Sequence, residues 1–373
     1  MSLFGKVRIP ALVDMHVHFR EPGFEYKENI LSGSRAAMCA GYSDVCTMPN
    51  LNPAPDSLSH LKVQNDIIAR DSHIGVHPYA TITLGQKGEG ELVNIEQLSK
   101  HVIGFSDDGR GIQDEDLMRQ AMTRIAATGS MVVEHCEVNS LLRGGYIHDG
   151  LYARTHGHKG ICSESEWKEV KRNIRLSEET GCRLHICHIS TKESVQLVRE
   201  AKARGVRVTA ETAPHYLLLN EEMLQEDGRW KMNPPIRSVA DQMALLKGVQ
   251  DGTIDVIATD HAPHSEEEKS RGLEQSAFGI VGIETAFPLM YTYLVKTGMI
   301  SMERLVELMS TRARNIIGLP QGESWATFDL DAHYTIDPEQ FLSKGHSTPF
   351  AGWEVWGRCI KNEYKGTVVY EAK

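Results

Sequence analysis

The sequence predicts an α/β protein built on a TIM-type (β/α)8 barrel. Three observations predict it. Eight short apolar, β-branched runs punctuate the chain, helical patterns fill the intervals between them, and ionisable residues gather where the runs end. The runs are 11–18, 42–48, 75–81, 101–105, 131–135, 183–188, 206–211 and 255–259. Apolar residues recur at helical spacing over 117–127, 166–179 and 239–250. Eight strands with intervening helices suit a closed barrel better than an open doubly wound sheet, and no G-x-G-x-x-G stands at a strand-to-helix turn. Residues 1–10 read as a residual N-terminal segment, 11–320 as the barrel, and 321–373 as a small, reduced β appendage. That tail contains a short strand-like piece (366–370) and two tryptophans, Trp353 and Trp356. No internal repeat, low-complexity tract or long linker interrupts the chain.

Bulk composition narrows the function classes. With 373 residues and 41% hydrophobic content the chain can bury a large core. Lys and Arg total 40 against 50 Asp and Glu, and the net charge of -10 argues against a nucleic-acid surface, though a locally basic pocket stays open. The seven cysteines, at 39, 46, 136, 162, 182, 187 and 359, form no C-x-x-C pair and read as reduced thiols. No run approaches the roughly 20 apolar residues of a membrane helix, and no signal-peptide core opens the chain. The expectation is a cytoplasmic protein with neither a membrane nor a nucleic acid as partner.

In such a barrel chemistry sits at the C-terminal ends of the strands. His16 and His18 end the first run, Asp107 and Asp108 follow the fourth, His135 ends the fifth, His188 the sixth, and Asp260 follows the eighth. Residues i and i+2 of a strand share a face, so His16 and His18 can reach one metal ion while Val17 points away. Arg20 continues that period if the strand persists. A guanidinium beside a dication calls for an anion between them, and its planar fork matches a carboxylate. The apolar run before Asp260 buries a carboxylate that needs a compensating charge; a metal supplies it, and the same carboxylate could move protons. His261 and His264 cannot both be ligands by spacing alone. Phe105-Ser106-Asp107-Asp108-Gly109 reads first as a turn, yet a site with four histidines and two metals wants one bridging anion, which either aspartate could provide. His60, His73, His77, His148, His156, His158 and His346 read as surface or packing residues.

With these motifs the sequence resembles the class I bacterial dihydroorotases of the amidohydrolase superfamily. The resemblance runs from about Leu12 to Leu319. It rests on His16-Val17-His18-Phe19-Arg20-Glu21-Pro22-Gly23, Met48-Pro49-Asn50, Phe105-Ser106-Asp107-Asp108-Gly109, His135-Cys136-Glu137, Cys187-His188-Ile189-Ser190, Met232-Asn233-Pro234-Pro235 and Ala258-Thr259-Asp260-His261-Ala262-Pro263-His264. It implies two zinc ions, the more buried held by His16, His18 and Asp260, the second by His135 and His188, with Asp108 bridging. Relatives of other classes bridge with a carboxylated lysine, and Lys100 is the one lysine near the place for that role. Substrate contacts are implied for His18, Arg20, Asn50, Asn233, His264 and the backbone at Phe278 and Gly279. The implied reaction is the reversible hydrolysis of (S)-dihydroorotate to N-carbamoyl-L-aspartate in pyrimidine biosynthesis, through a metal-bridging hydroxide with Asp260 as general base and acid. A homodimer and association with aspartate transcarbamoylase are further implied possibilities.

Two features depart from the family. Members carry a longer stretch before the H-x-H strand, which with the tail builds a β-sandwich, so that layer is expected to be reduced or missing here. Val138 stands where an acidic residue is common beside the His135 ligand. The polar run 265–272 after His264 reads either as a lid or as a solvated loop. The rival readings are another cyclic amidohydrolase, of hydantoinase or allantoinase type, and a non-catalytic scaffold for aspartate transcarbamoylase. Arg20 and Asn50 argue against a neutral substrate, and a full ligand set argues against the scaffold.

Overall fold

The computed structural model describes residues 5–372. Its core is a parallel barrel, as the strand count predicts. Strands Leu12–Val17, Tyr42–Thr47 and Gly75–Pro78 form one parallel ladder. Met131–Glu134, Arg183–Ile186, Val208–Thr212 and Val256–Ile257 form a second. Parallel bridges from Ala80 to Phe105 and from Phe105 to Val132 join the two, and a bridge from Val17 to His261 closes the ring. The fourth position differs from the expected 101–105 run. A turn follows the helix Ile95–Leu98, and only Phe105 keeps strand pairing, its N–H donating to Met131 O at 3.0 Å and its carbonyl accepting from Val133 N at 2.8 Å.

Strands buried on both faces explain the near-continuous apolar runs. Val13, Met15, Cys46, Met48, Tyr79, Met131, Val133 and Val256 fill the barrel interior, while Leu12, Val17, Val45 and Val132 pack outward against the helices. The helices form for the reasons legible in their ends. Asp114 caps the N-terminus of Glu115–Thr128, its carboxylate accepting from Leu117 N, and Gly129 closes the C-terminus in the left-handed region at φ 76. Met118, Ala121, Met122 and Ile125 form its buried stripe. Ser238 and Asp241 make a capping box that starts Val239–Asp251.

The first strand carries an irregularity that matters for the site. Asp14 pairs with Val45 and Val17 with Thr47, so Met15 and His16 together face the single residue Cys46. One extra residue in a strand reverses its in-and-out alternation. Val13 and Met15 therefore face the barrel interior, and so do His16 and His18 further along. The buried Asp14 ties this bulge to the eighth strand: it accepts from His16 N at 3.0 Å, Thr259 N at 3.2 Å and Thr259 Oγ1 at 2.6 Å.

Outside the barrel lies one four-stranded antiparallel sheet drawn from both chain ends, ordered Lys6–Pro10, Trp325–Thr335, Glu354–Tyr364, Thr367–Glu371. It is more regular than the short pieces expected of the tail, with two central strands of 11 residues each. Ile9, Phe328, Val355 and Cys359 point inward, and Phe328 stacks on Phe287 at 3.7 Å between ring centroids.

Candidate active site

The predicted residues converge at the mouth of the barrel. A cavity of about 230 Å³ is lined by His18, Arg20, Asn50, Asp108, His135, His188, Asn233, Asp260, His264, Phe278 and Gly279, among others, with His16 just beneath them. Three of the polar residues that shape it, Arg20, His188 and Asp260, hold positive φ values of 60, 29 and 47. Non-glycine residues adopt that region at a cost that surrounding structure must offset, and such strain concentrates at functional sites. For Arg20 it also corrects the expected route. The strand stops at Val17, and a left-handed turn, not the strand period, brings the guanidinium to the cavity.

His16 and His18 are oriented from behind. His16 Nδ1–H donates to Glu211 Oε1 at 2.8 Å, which turns Nε2 toward Asp260 Oδ1 at 3.4 Å and Asp108 Oδ1 at 3.6 Å. His18 Nδ1–H donates to Asn50 Oδ1 at 2.8 Å, leaving Nε2 toward Asp260 Oδ1 at 3.2 Å. His135 Nδ1 lies 3.0 Å from His188 Nε2 and 3.8 Å from Asp108 Oδ1. Glu211 is itself held on its other oxygen by His185 Nε2 at 3.0 Å. Neither Glu211 nor His185 was among the residues singled out in sequence, because Glu211 reads there as one more residue of an apolar run.

The two aspartates separate clearly. Asp107 turns away, accepting from Ile82 N at 2.8 Å and from the backbone and hydroxyl of Thr83. Asp108 faces the histidines and accepts from Asn50 Nδ2 at 3.0 Å. Lys100 is exposed on the turn after Ile95–Leu98, and the described residues lining the cavity include no lysine. His261 is taken up by Glu28 at 3.5 Å and Gly282 N at 3.2 Å, so of the pair in question only His264 lines the cavity. Val138 has no acidic replacement for its missing charge, yet the neighbouring Glu137 lies 3.7 Å from His135 Nε2 and accepts from Asn233 Nδ2 at 2.9 Å.

The donor set fits divalent cations. His16 Nε2, His188 Nδ1 and Asp108 Oδ1 are buried without a hydrogen-bond partner, an arrangement that costs free energy unless something binds there. His16, His18 and Asp260 bring ligand atoms within 4.8 Å of one another, and so do His16, Asp108 and His188. Charge points the same way. Burial pushes the Asp260 carboxyl up, but His16, His18 and His188 outweigh it and hold the group well below the usual carboxylate range. Burial would depress His16, yet Asp260, Glu211 and Asp108 raise it to about 10. The cluster thus carries an excess of buried negative charge that a dication would balance. A third grouping, His16, Cys187 and Glu211, is spent: Glu211 is consumed by two histidines, and burial pushes the Cys187 thiol well up.

Arg20 and His264 form the cavity's other wall. Arg20 Nη2 lies 3.3 Å from His264 Nε2, and Nε donates to Pro263 O at 3.3 Å. Phe278 O accepts from His264 Nε2 at 2.8 Å, and Gly279 N donates to Lys231 O at 3.1 Å, so these two backbone groups are already paired within the protein. Gly279 must be glycine: φ is 133 and a Cβ would sit 2.6 Å from Ala262 O. The 265–272 run is not irregular, although Glu266, Glu267, Ser270 and Arg271 are exposed. It forms the short helices Glu266–Lys269 and Gly272–Gln275, with Lys269 and Leu273 buried. Lys269 Nζ donates to Lys231 O at 3.0 Å and Ala277 O at 2.8 Å, and Lys231 Nζ donates to Glu274 O at 2.8 Å.

A closed parallel barrel with four imidazoles and two carboxylates at its strand ends, backed by oriented partners and faced by an arginine, defines an amidohydrolase-type barrel. Comparison with known proteins agrees. A family model described as "Dihydro-orotase-like" matches residues 5–194. The dihydroorotase of Listeria welshimeri is 47% identical over 98% of this chain and 88% of its own length. That of Bacillus caldolyticus is 46% identical over the same shares. Among solved structures, the L-hydantoinase (dihydropyrimidinase) of Arthrobacter aurescens superposes with a TM-score of 0.88 at 25% identity, covering 99% of this chain and 86% of that one. The dihydropyrimidinase of Brevibacillus agri, with a TM-score of 0.85 at 20% identity over 100% and 87%, shares the fold. The chain belongs to the dihydro-orotase-like family of cyclic amidohydrolases.

Proposed function

We propose that this chain is a cytoplasmic dihydroorotase, interconverting (S)-dihydroorotate and N-carbamoyl-L-aspartate in pyrimidine biosynthesis. The observation that carries the reading is a single cavity with a cation-suited cluster on one wall and the Arg20 guanidinium on the other. A ring amide and a carboxylate on one small molecule match those two walls. The curated relatives at 47% and 46% identity carry the name dihydroorotase, which supports the substrate choice. Hydantoinase-type neighbours share the fold at lower identity, and Arg20 favours an anionic ring over their neutral ones.

His16, His18 and Asp260 would hold one zinc ion, His135 and His188 the other, and Asp108 would bridge them. When bound, two such ions supply an activated water near neutral pH and polarise the amide carbonyl. The protein's own residues do the rest. Glu211 and Asn50 keep His16 and His18 in the tautomers whose Nε2 lone pairs face inward. Arg20 and His264 seat the substrate carboxylate, with Asn50 and Asn233 completing the rim, and so fix the ring against the cluster. Asp260, ionised and 3.2 Å from His18 Nε2, accepts the proton released on attack and delivers it to the departing ring nitrogen; closure runs the same steps backward.

The direct test is turnover of dihydroorotate by the purified chain before and after chelation. About two equivalents of zinc are expected per active chain, with activity lost in chelator and restored by added zinc. Undiminished activity in metal-free protein would contradict the reading. The same reading includes a homodimer and docking to aspartate transcarbamoylase, which light scattering of the chain alone and mixed with that enzyme measures.

A further inference from the structure

His264 is the cavity residue with the most crowded surroundings, and one neighbour stands outside everything assigned so far. Lys27 Nζ lies 3.2 Å from His264 Nδ1 and 2.9 Å from Glu268 Oε1, and Glu268 Oε2 lies 3.5 Å from the same Nδ1. On the other edge of the ring, Nε2 is 2.8 Å from Phe278 O and 3.3 Å from Arg20 Nη2. Burial, with Arg20 and Lys27 alongside, holds this imidazole well below its usual range, so it is neutral and carries one proton.

A neutral imidazole donates from one nitrogen and accepts at the other. An ammonium has donors only, so Lys27 at Nδ1 forces the proton onto Nε2. That is the form Phe278 O requires. It also leaves Arg20 Nη2, 3.3 Å from that nitrogen, with no acceptor on the ring, so the fork can face the cavity. Without Lys27 the preference reverses. Glu268 is acceptor-only and would draw the proton to Nδ1 while Arg20 Nη2 donates to the bared Nε2, two charged partners that outweigh Phe278 O and divert the Arg20 fork from a carboxylate.

We propose that Lys27 is a positioning residue of the anion subsite: its ammonium sets the tautomer of His264 so that Nε2–H stays on Phe278 O and the Arg20 fork is left free to receive the substrate carboxylate. This rests on the dihydroorotase reading for the substrate, but the tautomer itself does not. Lys27 reaches the site from the turn after Phe24, its ammonium 5.5 Å from the Tyr26 ring centroid, and Glu268 belongs to the segment after His264. The pair thus clips that segment to the first strand's loop while it orients the ring.

The experiment pairs imidazole ¹⁵N spectra with kinetics on Lys27→Met and Lys27→Arg, the His264 signal being assigned by its loss in His264→Gln. The Nε2–H form is expected in the parent protein and in Lys27→Arg, and the Nδ1–H form in Lys27→Met. KM for dihydroorotate should rise about tenfold in Lys27→Met, with kcat falling by less, while KM for the neutral ring dihydrouracil stays within about twofold. Lys27→Gln, too short to reach Nδ1, should shift the tautomer likewise and serves if Lys27→Met does not fold. A ring that keeps the Nε2–H form in the folded variants overturns the proposal. A ring that switches while KM for dihydroorotate stays unmoved upholds the role of Lys27 and overturns the carboxylate assignment beneath it.

Discussion

At the residue scale the site is a matter of which atom faces which. Asp260 makes the sharpest case. It stands at φ 47 after the eighth strand, touches His18 at 3.2 Å and is kept ionised by three histidines against the effect of burial. Replacing its carboxylate with an amide keeps the shape and removes the proposed proton acceptor. Asp260→Asn is therefore expected to lower kcat by about 10²- to 10⁴-fold with the far-UV spectrum and melting transition retained, a pair of measurements that separates chemistry from folding. His16, His18, His135, His188, Asp260 and Arg20 were legible in sequence because each is an ionisable residue at the end of an apolar run. Asp108 was legible only as half of an ambiguous pair, and what separates it from Asp107 is the backbone of Ile82 and Thr83, which claims Asp107. Glu211, Asp14 and Lys27 went unread for a common reason. Their partners lie far away along the chain, as in the 195 residues between His16 and Glu211, and only closure of the barrel brings them together.

At the element scale two departures from simple periodicity shape the site and its surroundings. The bulge at Met15–His16 lets interior packing and inward-facing histidines follow one another on a single strand, something strict alternation forbids. Sequence patterning could not reveal it, since the register against Tyr42–Thr47 defines it. The segment after His264 is the second departure. Its charges suggested exposure, and Glu266, Glu267, Ser270 and Arg271 are exposed, but the buried Lys269 anchors the segment beside the site. Burial, with Lys231 nearby, lowers the Lys269 ammonium from 10.5 to about 7. Between those values the unfolded chain binds a proton that the folded chain does not, so stability rises with pH from about 7 toward 10.5 and is reduced below 7. Melting temperatures of Lys269→Met across that range should lose this part of the rise. An unchanged slope would place the titration elsewhere.

At the scale of the whole molecule the barrel divides labour along its axis. The interior below the site is largely apolar, with Val13, Met15, Val133 and Val256 in contact, and the buried Glu211 and His185 are the polar pair beneath His16. The eight-stranded plan was legible from the count of apolar runs. The weak fourth strand was not, because one residue, Phe105, does its pairing. The terminal sheet was legible as a position and underestimated in extent, since its 11-residue strands alternate buried and exposed residues and look unremarkable beside the apolar barrel runs. What the whole arrangement claims is a ring-opening site that selects for an anion. Comparing kcat/KM for dihydroorotate and dihydrouracil, in zinc-loaded protein and in Arg20→Met, tests that claim most directly. The account predicts a strong preference for dihydroorotate that collapses in Arg20→Met through loss of dihydroorotate turnover alone. A preference for dihydrouracil in the parent protein, or a preference for dihydroorotate that survives loss of the guanidinium, would contradict it.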